Sequence, residues 1–98
     1  MDRILELLLV EDDQNDCKSF VSAVDNDPDN FSLIGITNNS ARAFQYVIDS
    51  HPDAVILDLE LHHGCGDGLD LLQRIREANL PHVPFILITT NNISTVTH

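Results

Sequence analysis

Carboxylates gather at the ends of two apolar runs in this chain. Leu7-Leu8-Leu9-Val10 passes directly into Glu11-Asp12-Asp13, and Val55-Ile56-Leu57 passes into Asp58, with Glu60 two residues on. A further run, Phe85-Ile86-Leu87-Ile88, ends in the hydroxyls of Thr89 and Thr90. If the first two runs are neighbouring strands, several carboxylates share one small crevice. Carboxylates packed together repel and raise one another's pKa unless a cation intervenes. Oxygen ligands with room left for water suit Mg²⁺. A carboxylate beside such a cation can act as a nucleophile towards phosphorus and become an aspartyl phosphate. The cation neutralises charge on the phosphoryl oxygens. A hydroxyl at the end of the next strand can then bond the phosphate and turn a local charge change into loop movement. Each feature has a plainer use on its own. Acids favour helix N-termini, and β-branched Thr favours strands. Only their joint placement points to chemistry.

The elements that must position these groups alternate in period. Ile4 to Val10 is nearly continuous in apolar residues, as in a strand buried on both faces. From Asp13 onward the period turns helical, with Cys17, Phe20, Val21 and Val24 on one face. Asp25 to Asn30, with Pro28 among them, forms a breaker cluster. Phe31 to Thr37 reads as the second strand. Ser40 is the expected N-cap of a helix carrying Ala43, Phe44, Val47 and Ile48, which His51-Pro52 stops. Ala54 to Leu57 is the third strand. Asp67 is the expected cap of a helix with Leu69, Leu72, Ile75 and Arg76 at helical spacing, its apolar face widened by Leu71. Phe85 to Ile88 is the fourth strand. The order β-α-β-α-β-α-β implies right-handed crossovers and a parallel sheet covered on both faces, an α/β fold. Ligands of such sheets bind at the carboxyl ends of the strands, where the acids and threonines fall.

Composition narrows the rest. The 98 residues fit one domain, spanning 1–98. Net charge is −11, from 16 acidic and 5 basic residues, which argues against direct nucleic-acid binding because phosphate contacts need clustered Lys and Arg. No apolar run approaches the roughly 20 residues of a membrane span. Met1-Asp2-Arg3 leads straight into a strand with no signal peptide ahead of it, so a cytoplasmic location is expected. Cys17 and Cys65 form no disulfide framework and no CxxC pattern. His62 and His63 read as solvated loop residues.

Four stretches together resemble the signature stretches of bacterial two-component response-regulator receiver domains, the chemotaxis receiver among them. They are Leu8 to Asp13, Val55 to Leu61, Asp67 to Leu72 and Pro84 to Thr90, in the family's order and spanning nearly the whole chain. The resemblance implies roles. Asp58 would be the phosphoacceptor. Asp12 would bind Mg²⁺ directly and Glu11 mainly through water, with Asp58 and the backbone carbonyl of Glu60 completing the protein ligands. The run Glu11-Asp12-Asp13 leaves a one-residue shift to Asp12 and Asp13 open. Thr89 would be the switch hydroxyl and Thr90 the small residue after it. Three departures stand out. His62 occupies a position where the family usually has Pro, and the loop from Leu61 to Gly66 is longer than usual. The family's Lys at the end of a fifth strand has no counterpart, since the only Lys is Lys18 in the first helix. The implied fold is a flavodoxin-like three-layer sandwich with a parallel sheet of order 2-1-3-4, lacking the fifth strand and last helix.

The function implied is a phosphorylation switch, with Mg²⁺ as cofactor and a histidine kinase or phosphotransfer protein as partner. Such a chain is not an enzyme beyond phosphorylating itself from a donor. An uncovered fourth strand would favour a homodimer. The rival reading is a truncated receiver-like interaction or dimerisation module that cannot switch without the fifth-strand Lys. A third, an Mg²⁺-dependent phosphatase of the haloacid-dehalogenase type built on Asp58-Leu59-Glu60, fits poorly because that family carries its motif on the first strand with a second Asp.

Overall fold

The computed structural model describes residues 3–58 and 68–89. The elements are β1 Leu5–Val10, α1 Gln14–Asp25, β2 Phe31–Thr37, α2 Ser40–Ser50, β3 Ala54–Asp58, α3 Gly68–Glu77 and β4 Phe85–Thr89. The strands form one parallel sheet in the order β2-β1-β3-β4, the flavodoxin-like arrangement expected. Burial explains the apolar runs. β1 lies inside the sheet, so its successive side chains enter two cores in turn. Leu8 and Val10 join Val55, Leu57, Ala43, Val47, Leu71 and Ile75 under α2 and α3. Leu7 and Leu9 join Ile56 and Val24 under α1, with Cys17 and Phe20 packed alongside.

Local chemistry sets the helix ends. Asp13 caps α1, its side chain accepting from the Asp16 N–H at 3.0 Å. The cap of α2 is Asn39, not Ser40. Asn39 is extended and accepts from the Arg42 N–H at 3.0 Å, while the Ser40 hydroxyl donates to Asp70. His51, in the left-handed region at φ 48°, closes α2. The inward residues of α3 are Leu71 and Ile75, with Leu72 half-buried, while Leu69 is exposed. Asp67 lies outside the described residues, as do Glu60, His62, His63, Cys65 and Thr90.

The β1–β2 register slips by one residue. Leu7 faces Leu33 but Leu8 faces Gly35, so Ile34 is extra. Gly35 lets the Tyr46 ring of α2 lie against the strand. A Cβ there would come within 2.7 Å of the ring. Gly35→Ala is therefore expected to cost about 1–3 kcal/mol by overpacking. A urea melt would show this as a lower midpoint with unchanged slope, and an unchanged midpoint would mean that the ring gives way freely.

α1 covers β1 and β2 better than β3 and β4. Beside it runs an apolar groove of about 340 Å³, lined by Phe20, Ala54, Ile56, Phe85 and Leu87 among others. β4 is an edge strand of the described sheet, with Phe85 69%, Leu87 50% and Ile88 50% exposed.

Candidate functional site

β1 and β3 run side by side with Val10 opposite Leu57, so the residues that follow arrive at the same height. Glu11 and Asp12 from one strand and Asp58 from the other thereby meet at the carboxyl edge of the sheet. Oxygens from all three lie within 4.8 Å of one another. Asp58 is 1% exposed and Glu11 7%, whereas Asp12 stands half-buried at the rim.

This crowding has an electrostatic signature. Burial is the largest cause, followed by the hydrogen bond with Asp58, and together with the charges of Asp58 and Asp16 these push the Glu11 carboxyl up to about 7. The Asp13 N–H donates to Glu11 Oε2 at 3.2 Å and pulls the other way. A buried acid raised in this way beside a second buried acid would be relieved by a cation. The donors are all carboxylate oxygens, two enclosed and one at the rim, a set that fits a hard divalent cation able to keep some of its water. Asp13 is not in this group. It is exposed and spent on the α1 cap, so the acidic run divides into a pair facing the site and a cap facing the helix.

Thr89 lies opposite Asp58 across the β3–β4 pair. Its hydroxyl donates to the Leu57 carbonyl at a long 3.4 Å. Glu60 and Thr90, also singled out in the sequence, lie outside the described residues. Cys17 sits below the acids, its thiol donating to the Glu11 carbonyl at 3.7 Å. Burial, and then the charges of Glu11, Asp13, Asp16 and Asp12, raise its pKa, and its side chain packs against the α1 core.

Two further polar residues pair between α2 and α3, with no sequence signal of that use. Ser40, 2% exposed at the start of α2, donates to Asp70 Oδ2 at 2.7 Å. Asp70, in the first turn of α3, also accepts from Arg74 Nε at 2.9 Å. The Ser40 and Arg74 bonds hold the Asp70 carboxyl below its usual pKa. A Ser three residues after a strand reads as a cap because that is its commonest use. Only the packing of α2 on α3 brings Asp70 within reach.

The family model described as response regulator receiver domain matches residues 7–98. Among solved structures, the chain is similar to the response regulator domain of Thermotoga maritima CheB, with TM-score 0.74 and 18% identity over 90% of this chain and 61% of that one. It is also similar to the REC domain of AraT, a response regulator from Geobacillus stearothermophilus, with TM-score 0.73 and 18% identity over 97% and 72%. A third likeness is to the signal receiver domain of a modulated diguanylate cyclase from Desulfovibrio desulfuricans G20, with TM-score 0.69 and 23% identity over 96% and 72%. The chain thus spans about three-fifths of the length of the Thermotoga chain.

Proposed function

This chain belongs to the response regulator receiver domain family of two-component signal transduction, and from that premise we propose that Asp58 is its phosphoacceptor. The observation that carries this reading is the meeting of buried Asp58 with Glu11 and Asp12 at the carboxyl edge of the sheet. A carboxylate oxygen of Asp58 attacks the phosphorus of the donor. A P–O bond to Asp58 forms while the donor's bond to phosphorus breaks, and the leaving group takes that electron pair. Glu11, Asp12, Asp58 and the backbone carbonyl of Glu60 would hold Mg²⁺, which when bound neutralises charge on the phosphoryl oxygens. Thr89 reads the result. Its bond to the Leu57 carbonyl is long, so the hydroxyl loses little by turning to a phosphoryl oxygen, and Thr90 follows it.

The donor in the cell would be a phosphohistidine on a kinase or phosphotransfer protein, and the place the cytoplasm. Among the described residues no helix is long and apolar enough to cross a membrane. The rival reading, an interaction module without a phosphoryl switch, gives buried Asp58 no use beside Glu11 and is not favoured. Acetyl phosphate with Mg²⁺ is expected to add one phosphoryl group, located on Asp58 by peptide mass. A phosphoryl group found on any other residue would overturn the assignment.

The edge of β4 supports one more partner, a second copy of the chain. Phe85 to Thr89 carry no charge, and Phe85, Leu87 and Ile88 lie open to solvent. Under a two-fold axis the strand can pair antiparallel with its copy, and Phe85 and Leu87 of each then shelter the other's groove. Sedimentation of the 98-residue chain at micromolar concentration is expected to show a dimer. It should tighten with salt, which screens the −11 charge on each copy. Leu87→Lys should return the monomer, and a parent that stays monomeric at all salt concentrations would remove the dimer.

A further inference from the structure

The Ser40–Asp70 bond lies on a continuous set of contacts that begins at the acid site. The Glu11 N–H donates to the Thr37 carbonyl at 3.0 Å, tying the end of β2 to the first acid. The Thr37 hydroxyl accepts from the Asn39 N–H at 3.1 Å, and Asn39 caps α2. Ser40, the first residue of α2, then reaches across to Asp70 in the first turn of α3. Nine residues, 59–67, join Asp58 to Gly68, and Gly68 stands two positions before Asp70. α3 is the next described element after Asp58.

We propose that Ser40 and Asp70 are positioning residues for the strand-end site. Their bond fixes the start of α3, the anchor of the connection that leaves Asp58, against the same β2–α2 corner that holds Glu11. The inference rests on the reading of Glu11, Asp12 and Asp58 as a cation and phosphoryl site. Its physical basis is that the bond spans two helices. Ser40 is almost fully enclosed while the Asp70 carboxylate is partly exposed, so a lost hydroxyl leaves Asp70 to Arg74 and water and removes this tie between α3 and α2. Arg74 cannot substitute, because it approaches Asp70 from its own helix and pulls along α3, not toward α2. Supporting residues that orient metal ligands typically change affinity by about 10–100-fold when lost. An effect near the lower end fits a pair that acts through an anchor.

The test compares Ser40→Ala and Asp70→Ala with Val47→Ala, a buried core substitution on the same helix that leaves the bond intact. Each protein is titrated with Mg²⁺ by calorimetry well below its melting temperature, and phosphorylation by acetyl phosphate is timed separately. Ser40→Ala is expected to weaken Mg²⁺ binding and slow phosphorylation about tenfold, and the double variant to behave like either single one. Val47→Ala should melt lower yet keep the parental Mg²⁺ affinity and rate. Arg74→Gln should also keep both. Parental affinity and rate in Ser40→Ala would overturn the positioning role alone. So would a Val47→Ala protein as impaired as Ser40→Ala, since general loosening would then explain both. A parent chain that binds no Mg²⁺ and takes no phosphoryl group would instead overturn the site itself.

Discussion

An Asp58→Asn protein is expected to take up no phosphoryl group from acetyl phosphate and yet to melt higher than the parent in Mg²⁺-free buffer. The first effect follows from chemistry, since an amide oxygen is a far poorer nucleophile than a carboxylate and the loss should be complete. The second follows from the crowding. Asp58 is 1% exposed and raises the pKa of Glu11, already pushed up by burial, to about 7 from an ordinary 4.5. An amide there removes the like charge and can donate to Glu11. Each pKa unit relieved is worth about 1.4 kcal/mol, and because burial, the largest cause of the shift, remains, a gain on the order of 1 kcal/mol is expected. For a domain of this size that corresponds to roughly 4–8 °C per kcal/mol. The paired outcome separates a functional acid from a structural one. If Asp58 were a satisfied structural acid, Asn would lower the melting temperature, and a protein that melts lower while still accepting phosphate would refute the reading of the site.

Mg²⁺ is expected to stabilise the parent and to abolish a pH dependence that the metal-free protein shows. Ligand at about a hundred times its dissociation constant adds about 2.7 kcal/mol to a fold that binds it. The pH effect comes from Glu11. Its carboxyl is raised in the folded chain, so the folded state holds a proton that the unfolded state has released. That contribution is fully present below pH 4.5 and is lost as the pH rises through about 7. The lowered pKa of Asp70 acts in the opposite sense, but only as the pH falls below its ordinary 3.8, outside this window. Metal-free protein should therefore melt lower at pH 8 than at pH 5. With millimolar Mg²⁺ the ionised carboxylates gain a partner, and the fall should disappear or reverse. Thermal melts at both pH values, with and without Mg²⁺, in the parent, Glu11→Gln and Asp12→Asn, would decide the matter. An equal Mg²⁺ gain in Asp12→Asn would place the ion elsewhere. A flat metal-free profile would mean that Glu11 does not hold the proton.

Much of this was legible in the residues themselves. Period and punctuation decide the element order, because a strand buried on both faces must be nearly all apolar and a surface helix must carry its apolar residues in one stripe. The run from Leu7 to Val10 and the stripe of Cys17, Phe20 and Val24 meet those demands with no reference to the rest of the chain. The parallel sheet follows from alternation, and once β1 and β3 pair, Glu11, Asp12, Asp58 and Thr89 must gather at one edge.

Tertiary structure decided what local rules leave degenerate. Glu11, Asp12 and Asp13 are chemically alike, and only the path from β1 into α1 sends Asp13 to the helix cap while Glu11 and Asp12 turn toward Asp58. Asn39 and Ser40 are both good caps, and the choice fell to Asn39 because Ser40 has a partner thirty positions away in Asp70. Leu69 and Leu71 are equal as apolar residues, but they lie on opposite faces of α3, and the rotation at which the helix packs buries one and leaves the other in water. In each case the competing residues have nearly equal intrinsic preferences, differing by less than the roughly 1 kcal/mol a single hydrogen bond contributes. A contact distant in sequence is then enough to select between them, and such contacts exist only once the chain has folded.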